Sequence, residues 1–189
     1  SIASGQAMAY TGAEVTTLEG LAPDVTWITS GAWPTALDGT TLTNTAAWDA
    51  STNPDPCDWA GIACNGSDIT NIEIPNAGMA NSMTAILTAL APMTSTLKTL
   101  NISSTTNPAN TASASIPASI STFTSLTHLA TNDTGGTGSI PDMSALTALD
   151  TFNAYDNAYT AIEGQVGGAS LVALRLHANP DLTGDLTTT

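Results

Sequence analysis

Positive charge is nearly missing from this chain. Only 2 of its 189 residues are Lys or Arg, against 16 Asp and Glu, for a formal net charge of −14. Nucleic-acid binding relies on Lys and Arg to neutralise phosphates and release counterions, and anionic membrane surfaces attract basic segments. Two basic residues serve neither purpose, which leaves proteins, neutral glycans and cations as partners. Charge of either sign is scarce, 10% in all, while 42% of residues are hydrophobic. The surface must therefore be built largely from Thr, Ser, Asn, Ala and Gly, as is common in secreted glycoproteins. Long apolar runs are missing as well. A membrane span needs about 20 apolar residues; the most apolar stretch, Met83 to Met93, is shorter and is broken by Thr84, Thr88 and Pro92. Catalytic signatures are also lacking. There is no G-x-S-x-G elbow and no H-E-x-x-H, and Gly135-Gly136-Thr137-Gly138 lacks the Gly-Lys-Ser/Thr of a phosphate loop and reads as a turn. The chain is not expected to be an enzyme.

What the sequence does contain is a repeat. The template L-x-x-L-x-L-x-x-N, with other aliphatics allowed at the Leu positions, fits Ile69, Ile72 and Ile74, followed by Met79. It fits again at Leu97, Leu100 and Ile102, at Leu126, Leu129 and Thr131, at Leu149, Phe152, Ala154 and Asn157, and at Leu171, Leu174, Leu176 and Asn179. The starts at 69, 97, 126, 149 and 171 lie 28, 29, 23 and 22 residues apart, inside the range of about 20–29 residues for a leucine-rich repeat. Each repeat supplies a short strand whose aliphatic positions no single unit can bury; stacking its neighbours does so.

These residues resemble the plant-type, extracellular leucine-rich-repeat family, whose repeat continues N-x-L-x-G-x-I-P. Gly138-Ser139-Ile140-Pro141 fits that ending, Ile116-Pro117 fits its last half, and Asn179 to Leu186 fits with one extra residue and no Pro. The stretch Pro56-Cys57-Asp58-Trp59-Ala60-Gly61-Ile62-Ala63-Cys64 resembles the cysteine-containing N-terminal cap motif C-x-W-x-G-(V/I)-x-C of the same family. The resemblance covers residues 48 to 189. It implies an α/β solenoid, a right-handed coil with short parallel strands on its concave face, with a cap over residues 1–68 and an array of about five repeats over 69–189.

All four tryptophans, Trp27, Trp33, Trp48 and Trp59, fall in the cap segment and are expected in its core. Thr11 and Glu14 have capping-box spacing, so a short helix should follow and stop at Gly20. The cap motif implies a Cys57–Cys64 disulfide, which belongs to an oxidising compartment; C-x6-C without further Cys or clustered His is a poor zinc pattern. Three N-x-S/T sequons, at Asn65, Asn101 and Asn132, add to the expectation of an extracellular or cell-surface glycoprotein.

In this family the strand positions between the aliphatics usually form the ligand face. Here they are Thr70, Asn71, Glu73, Pro75 and Asn76; Lys98, Thr99, Asn101, Ser103 and Ser104; Thr127, His128, Ala130, Asn132 and Asp133; Asp150, Thr151, Asn153, Tyr155 and Asp156; and Val172, Ala173, Arg175, His177 and Ala178. Both basic residues and both histidines fall among them, by coincidence or as a polar recognition patch. Lys98, His128, Asn153, Tyr155, Arg175 and His177 are the candidate ligand-binding residues. His128 and His177 lie two repeats and different columns apart, too far to share a zinc ion. The metal candidate is calcium at Asp133 and Asp156, which share a column in adjacent repeats; two solvated acids on a curved face are the plainer reading.

The expected function is recognition of a protein, peptide or glycan, as the resemblance to receptor ectodomains and polygalacturonase-inhibitor-like proteins implies. The alternative is a structural subunit of a glycosylated extracellular filament or surface layer. A minor alternative, ice binding, lacks regular Thr or Asn rows in the columns above. No second Cys pair follows the fifth repeat. We therefore expect its C-terminal edge to be covered, by further polypeptide or by another subunit in a homo-oligomer or filament.

Overall fold

The computed structural model describes residues 10–21, 36–75, 81–103 and 115–184. Trp27, Trp33, Asn76, Met79, Ser104 and Leu186 lie outside them. The capping box is present: Glu14 N donates to Thr11 Oγ1 (3.3 Å) and Thr11 N to the Glu14 carboxylate (2.6 Å). It opens helix α1 (Gly12–Glu19), which ends at Gly20. Val15, Leu18 and the following Leu21 are buried in the core. A second helix, α2 (Met83–Ala89), starts at Ser82, whose hydroxyl accepts from Ala85 N. It buries Met83, Ile86, Leu87 and then Leu90, an i, i+3, i+4, i+7 stripe facing the same core. Among the described residues no helix is long and apolar enough to cross a membrane.

Strands β1 (Ile62–Asn65), β2 (Asp68–Glu73), β3 (Thr99–Asn101), β4 (His128–Ala130), β6 (Thr151–Asn153) and β8 (Ala173–Arg175) form one sheet in that order. The pair β1–β2 is antiparallel, and every pair from β2 to β8 is parallel. The middle aliphatics of the repeats are direct partners: Ile72 with Leu100, Leu100 with Leu129, Leu129 with Phe152, and Phe152 with Leu174. The periodicity thus marks the rungs of a parallel ladder.

Strands β5 (Thr137–Ile140) and β7 (Ala158–Ile162) form a second, two-stranded parallel sheet. The Gly135–Gly138 run, expected to be a turn throughout, enters β5 at Thr137, because the second ladder recruits its backbone. Asn157 and Asn179 sit at the bend between the two sheets. The Asn157 amide donates to Thr131 O and Ala154 O and its carbonyl accepts from Gly136 N. Asn179 repeats the arrangement one rung on, with Ala154 O, Leu176 O and Tyr159 N.

The cap closes the N-terminal end. Trp48 and Trp59 stack with ring centroids 5.5 Å apart. Their indole N–H groups donate to Ala60 O and Asn53 O respectively, so neither buried ring leaves a donor unpaired. Cys57 and Cys64 are disulfide-bonded with Cα atoms 5.7 Å apart. Tyr10 ties α1 to the sheet, its hydroxyl accepting from Ile69 N (2.7 Å). At the opposite end, the aliphatics of the last described repeat, Leu171, Leu174, Leu176 and Leu182, are only partly buried, and the neighbouring Val172 is 81% exposed.

Candidate recognition face

Side chains alternate across a strand. With the middle aliphatic of each rung turned inward, the residues beside it line the opposite face. At the N-terminal end this face is not open. We expected Asn71, Glu73, Thr99 and Asn101 to be exposed; all four are buried. The cause is the cap segment 36–40, which lies across the first two rungs. Leu37 N donates to Glu73 Oε1 (3.0 Å), and Asn71 Nδ2 donates to Asp38 Oδ2 (2.8 Å) and Thr99 Oγ1 (3.2 Å). Burial pushes the Glu73 carboxyl up to about 7, although the Leu37 amide opposes the shift. For Asp38, burial acts upward but the hydrogen bonds from the Thr40 amide and Asn71 outweigh it, holding the carboxyl below its ordinary value.

Beyond the cap the candidates separate into one group and two outliers. Asn153 and Arg175 are partners on adjacent rungs, and the guanidinium Nη1 donates to Asn153 Oδ1 (2.9 Å). Two residues further along the same rungs, Tyr155 and His177 stack with centroids 4.6 Å apart and planes 8° from parallel. These four residues form one continuous patch. Asn153, expected on the open face, is buried beneath it, Tyr155 is half-buried, and Arg175 and His177 are exposed. Lys98 is exposed three rungs from Arg175, roughly 14 Å at the strand spacing, and does not join them. His128 also stands apart, with Nδ1 beside Thr127 Oγ1 (2.9 Å) and Nε2 at 3.7 Å from Asp150 Oδ1.

Asp133 and Asp156 do share a column. Both have left-handed backbones, φ 54° and 53°, and both donate their amides to the next rung, to Tyr155 O and His177 O (each 3.1 Å). Both carboxylates are exposed. Among the described residues no group of three or more His, Cys, Asp or Glu could hold a metal ion. Of the sequons, Asn65 is exposed at the β1–β2 turn, whereas Asn101 and Asn132 are each only 7% exposed. Asn101 Oδ1 accepts from both the amide and the hydroxyl of Ser103.

The model of the leucine rich repeat N-terminal domain matches the cap, including the strap, both cysteines and Trp59. That match spans residues 35–65, a small part of the chain. No curated protein matches the chain. Eleven solved chains match it, among them one titled pollen receptor kinase 3, at 17% identity and a TM-score of 0.39, covering 76% of this chain and 91% of that one.

Two features escaped the sequence reading. One is the strap at 36–40, which the non-repeating segment does not announce. The other lies on the second sheet, where exposed Thr137, Thr160 and Thr183 recur every 23 residues. Their spacing was a visible signal. The Thr160 and Thr183 hydroxyls donate to the backbone carbonyls of Gly138 and Thr160, 22 and 23 residues earlier in the chain.

Proposed function

We propose that the chain is an extracellular or cell-surface leucine-rich-repeat recognition module. In this reading residues 1–68 form the cap and residues 69–189 a right-handed solenoid, and its concave strand face binds a protein, peptide or glycan without chemical change. The observation that carries it is the patch of Asn153, Tyr155, Arg175 and His177. The sole arginine of a chain with net charge −14 is held open on that face by Asn153, beside a stacked aromatic pair. Arginine and tyrosine are the side chains over-represented at binding hot spots. The Cys57–Cys64 bridge and the exposed Asn65 sequon support the compartment. The test is an array of extracellular proteins, peptides and oligosaccharides probed with the native chain and with Arg175→Ala in parallel. A specific binder whose affinity falls at least about tenfold, the effect of losing one charge-assisted contact, supports the reading; binders indifferent to Arg175 and to Tyr155→Ala oppose it.

The structural-subunit reading is favoured by a different observation, the exposed Val172 and half-buried leucines of the last described repeat. Native mass measurement separates the two. A single species of 19.1 kDa plus its glycans favours recognition, and self-assembly on concentration favours the subunit.

A further inference from the structure

Glu73 is the most deeply buried acid among the described residues, 0% exposed, and its Oε2 has no hydrogen-bond partner among them. Its Oε1 accepts from the amide of Leu37 (3.0 Å), in a segment 36 residues away in sequence. That segment is a tight loop, closed by Ala36 N to Thr40 O (2.9 Å) and Gly39 N to Ala36 O (2.8 Å) and turned by Gly39 at φ +86°. Its second attachment is the Asp38 carboxylate on Asn71. Hydrogen bonds from the Leu37 amide to Glu73 and from Asn71 to Asp38, with Thr99 at the same carboxylate, tie the strap to the first two rungs, where Asn71, Thr99 and Asn101 are buried.

We propose that the strap is a proton-controlled latch: with Glu73 neutral, residues 36–40 stay closed over the first two rungs, and ionisation of Glu73 releases them. The reason is the cost of a buried charge. Closed, Glu73 has the Leu37 amide and the Asn101 side chain to favour a carboxylate, which together fall short of the cost of burial, and Asp38 of the strap faces it with a like charge. The strands on either side offer no countercharge: β3 brings only the Asn101 side chain, neither β1 nor β3 carries a free titratable side chain, and Lys98, next to β3, is exposed. Open, Glu73 meets water and ionises at its ordinary value. The raised value of about 7 in the closed form has this cause. The sign follows: the closed state is fully favoured below about pH 4.5, weakens as pH rises toward 7, and is constant above that. The closed-to-open ratio falls roughly tenfold per pH unit within that window. If the strand face is the recognition surface, as proposed above, alkaline conditions lengthen it by two rungs; the latch itself rests on the strap geometry alone.

The test needs no ligand. Hydrogen exchange at the Leu37 amide, corrected for intrinsic rate, is followed from pH 4.5 to 8 in the native chain and in Glu73→Gln. The native chain should lose protection by up to about two orders of magnitude across the window, with fluorescence of the Trp48–Trp59 stack unchanged. The Gln variant should show protection independent of pH. Parallel pH profiles in the two proteins, or flat protection in the native chain, overturn the proposal. Should the variant not fold, carbon-13 titration of the native Glu73 carboxyl decides: a midpoint near 7 supports the latch, and one in the ordinary carboxylate range overturns it.

Discussion

Replacing Asn157 with Ala should cost far more than its single side-chain amide suggests. The side chain is buried between two rungs and satisfies backbone amides and carbonyls on both sides of the bend. Its Oδ1 accepts from Gly136 N (2.8 Å) and Thr134 N (3.1 Å), and its Nδ2 donates to Thr131 O and Ala154 O. The two carbonyls have substitutes, Thr134 Oγ1 on the first and Asn179 Nδ2 on the second. The two amides do not. A buried group left unpaired costs about 1–3 kcal/mol, so two amides amount to roughly 2–5 kcal/mol after partial rehydration. Asn179→Ala should cost less, because the leucines of its repeat are only partly buried and water reaches the vacated groups more easily. Urea denaturation followed by circular dichroism measures both, with the exposed Thr124→Ala as control. An Asn157→Ala loss indistinguishable from the control, or smaller than that of Asn179→Ala, would refute the reasoning.

Three further outcomes are expected. Reducing the Cys57–Cys64 bridge should lower stability by about 2.5 kcal/mol, the chain entropy of so short a loop; an unchanged urea midpoint under reductant, read by tryptophan fluorescence, would contradict it. Gly136→Ala should destabilise by roughly 1–3 kcal/mol through overpacking, since a Cβ there lies 2.5 Å from Cζ and the hydroxyl of the buried Tyr159 ring; a neutral denaturation curve would show that the ring can retreat. Expression through a secretory pathway should place glycan on Asn65 ahead of Asn101, whose side chain is buried and bonded to Ser103; peptide mass spectrometry finding Asn101 occupied and Asn65 bare would reverse the accessibility argument.

The ladder was legible because its physics is local and periodic. The spacing from Ile72 through Leu100, Leu129 and Phe152 to Leu174 reports which residues must face a shared interior, and these are the strand partners found. Thr11 and Glu14 likewise announced their helix through contacts three residues apart. What could not be read was the meeting of distant, non-repeating chain with the ladder. Nothing in Leu37 or Asp38 says that they cover Glu73 and Asn71, and so Asn71, Glu73, Thr99 and Asn101, counted as open surface, are interior; Asn132 and Asn153, counted likewise, are buried too. The threonine row of the second sheet had a signal of 23 residues, but the earlier spacings of 28 and 29 put the first repeats out of phase with it. Within the face, the repeat placed Asn153, Tyr155, Arg175 and His177 on neighbouring rungs. Their direct contacts, one hydrogen bond and one ring stack, needed the register.

The central claim is that the chain works through its strand face. Cysteine introduced singly as His177→Cys on that face, or as Thr160→Cys on the second sheet, can be capped with a bulky polyethylene-glycol maleimide. Binding of each conjugate to a partner selected with the native chain is then measured. The account predicts that the block at residue 177 abolishes binding and the block at residue 160 leaves it intact. Binding that survives at 177 and is lost at 160 would move function to the opposite sheet and contradict the account.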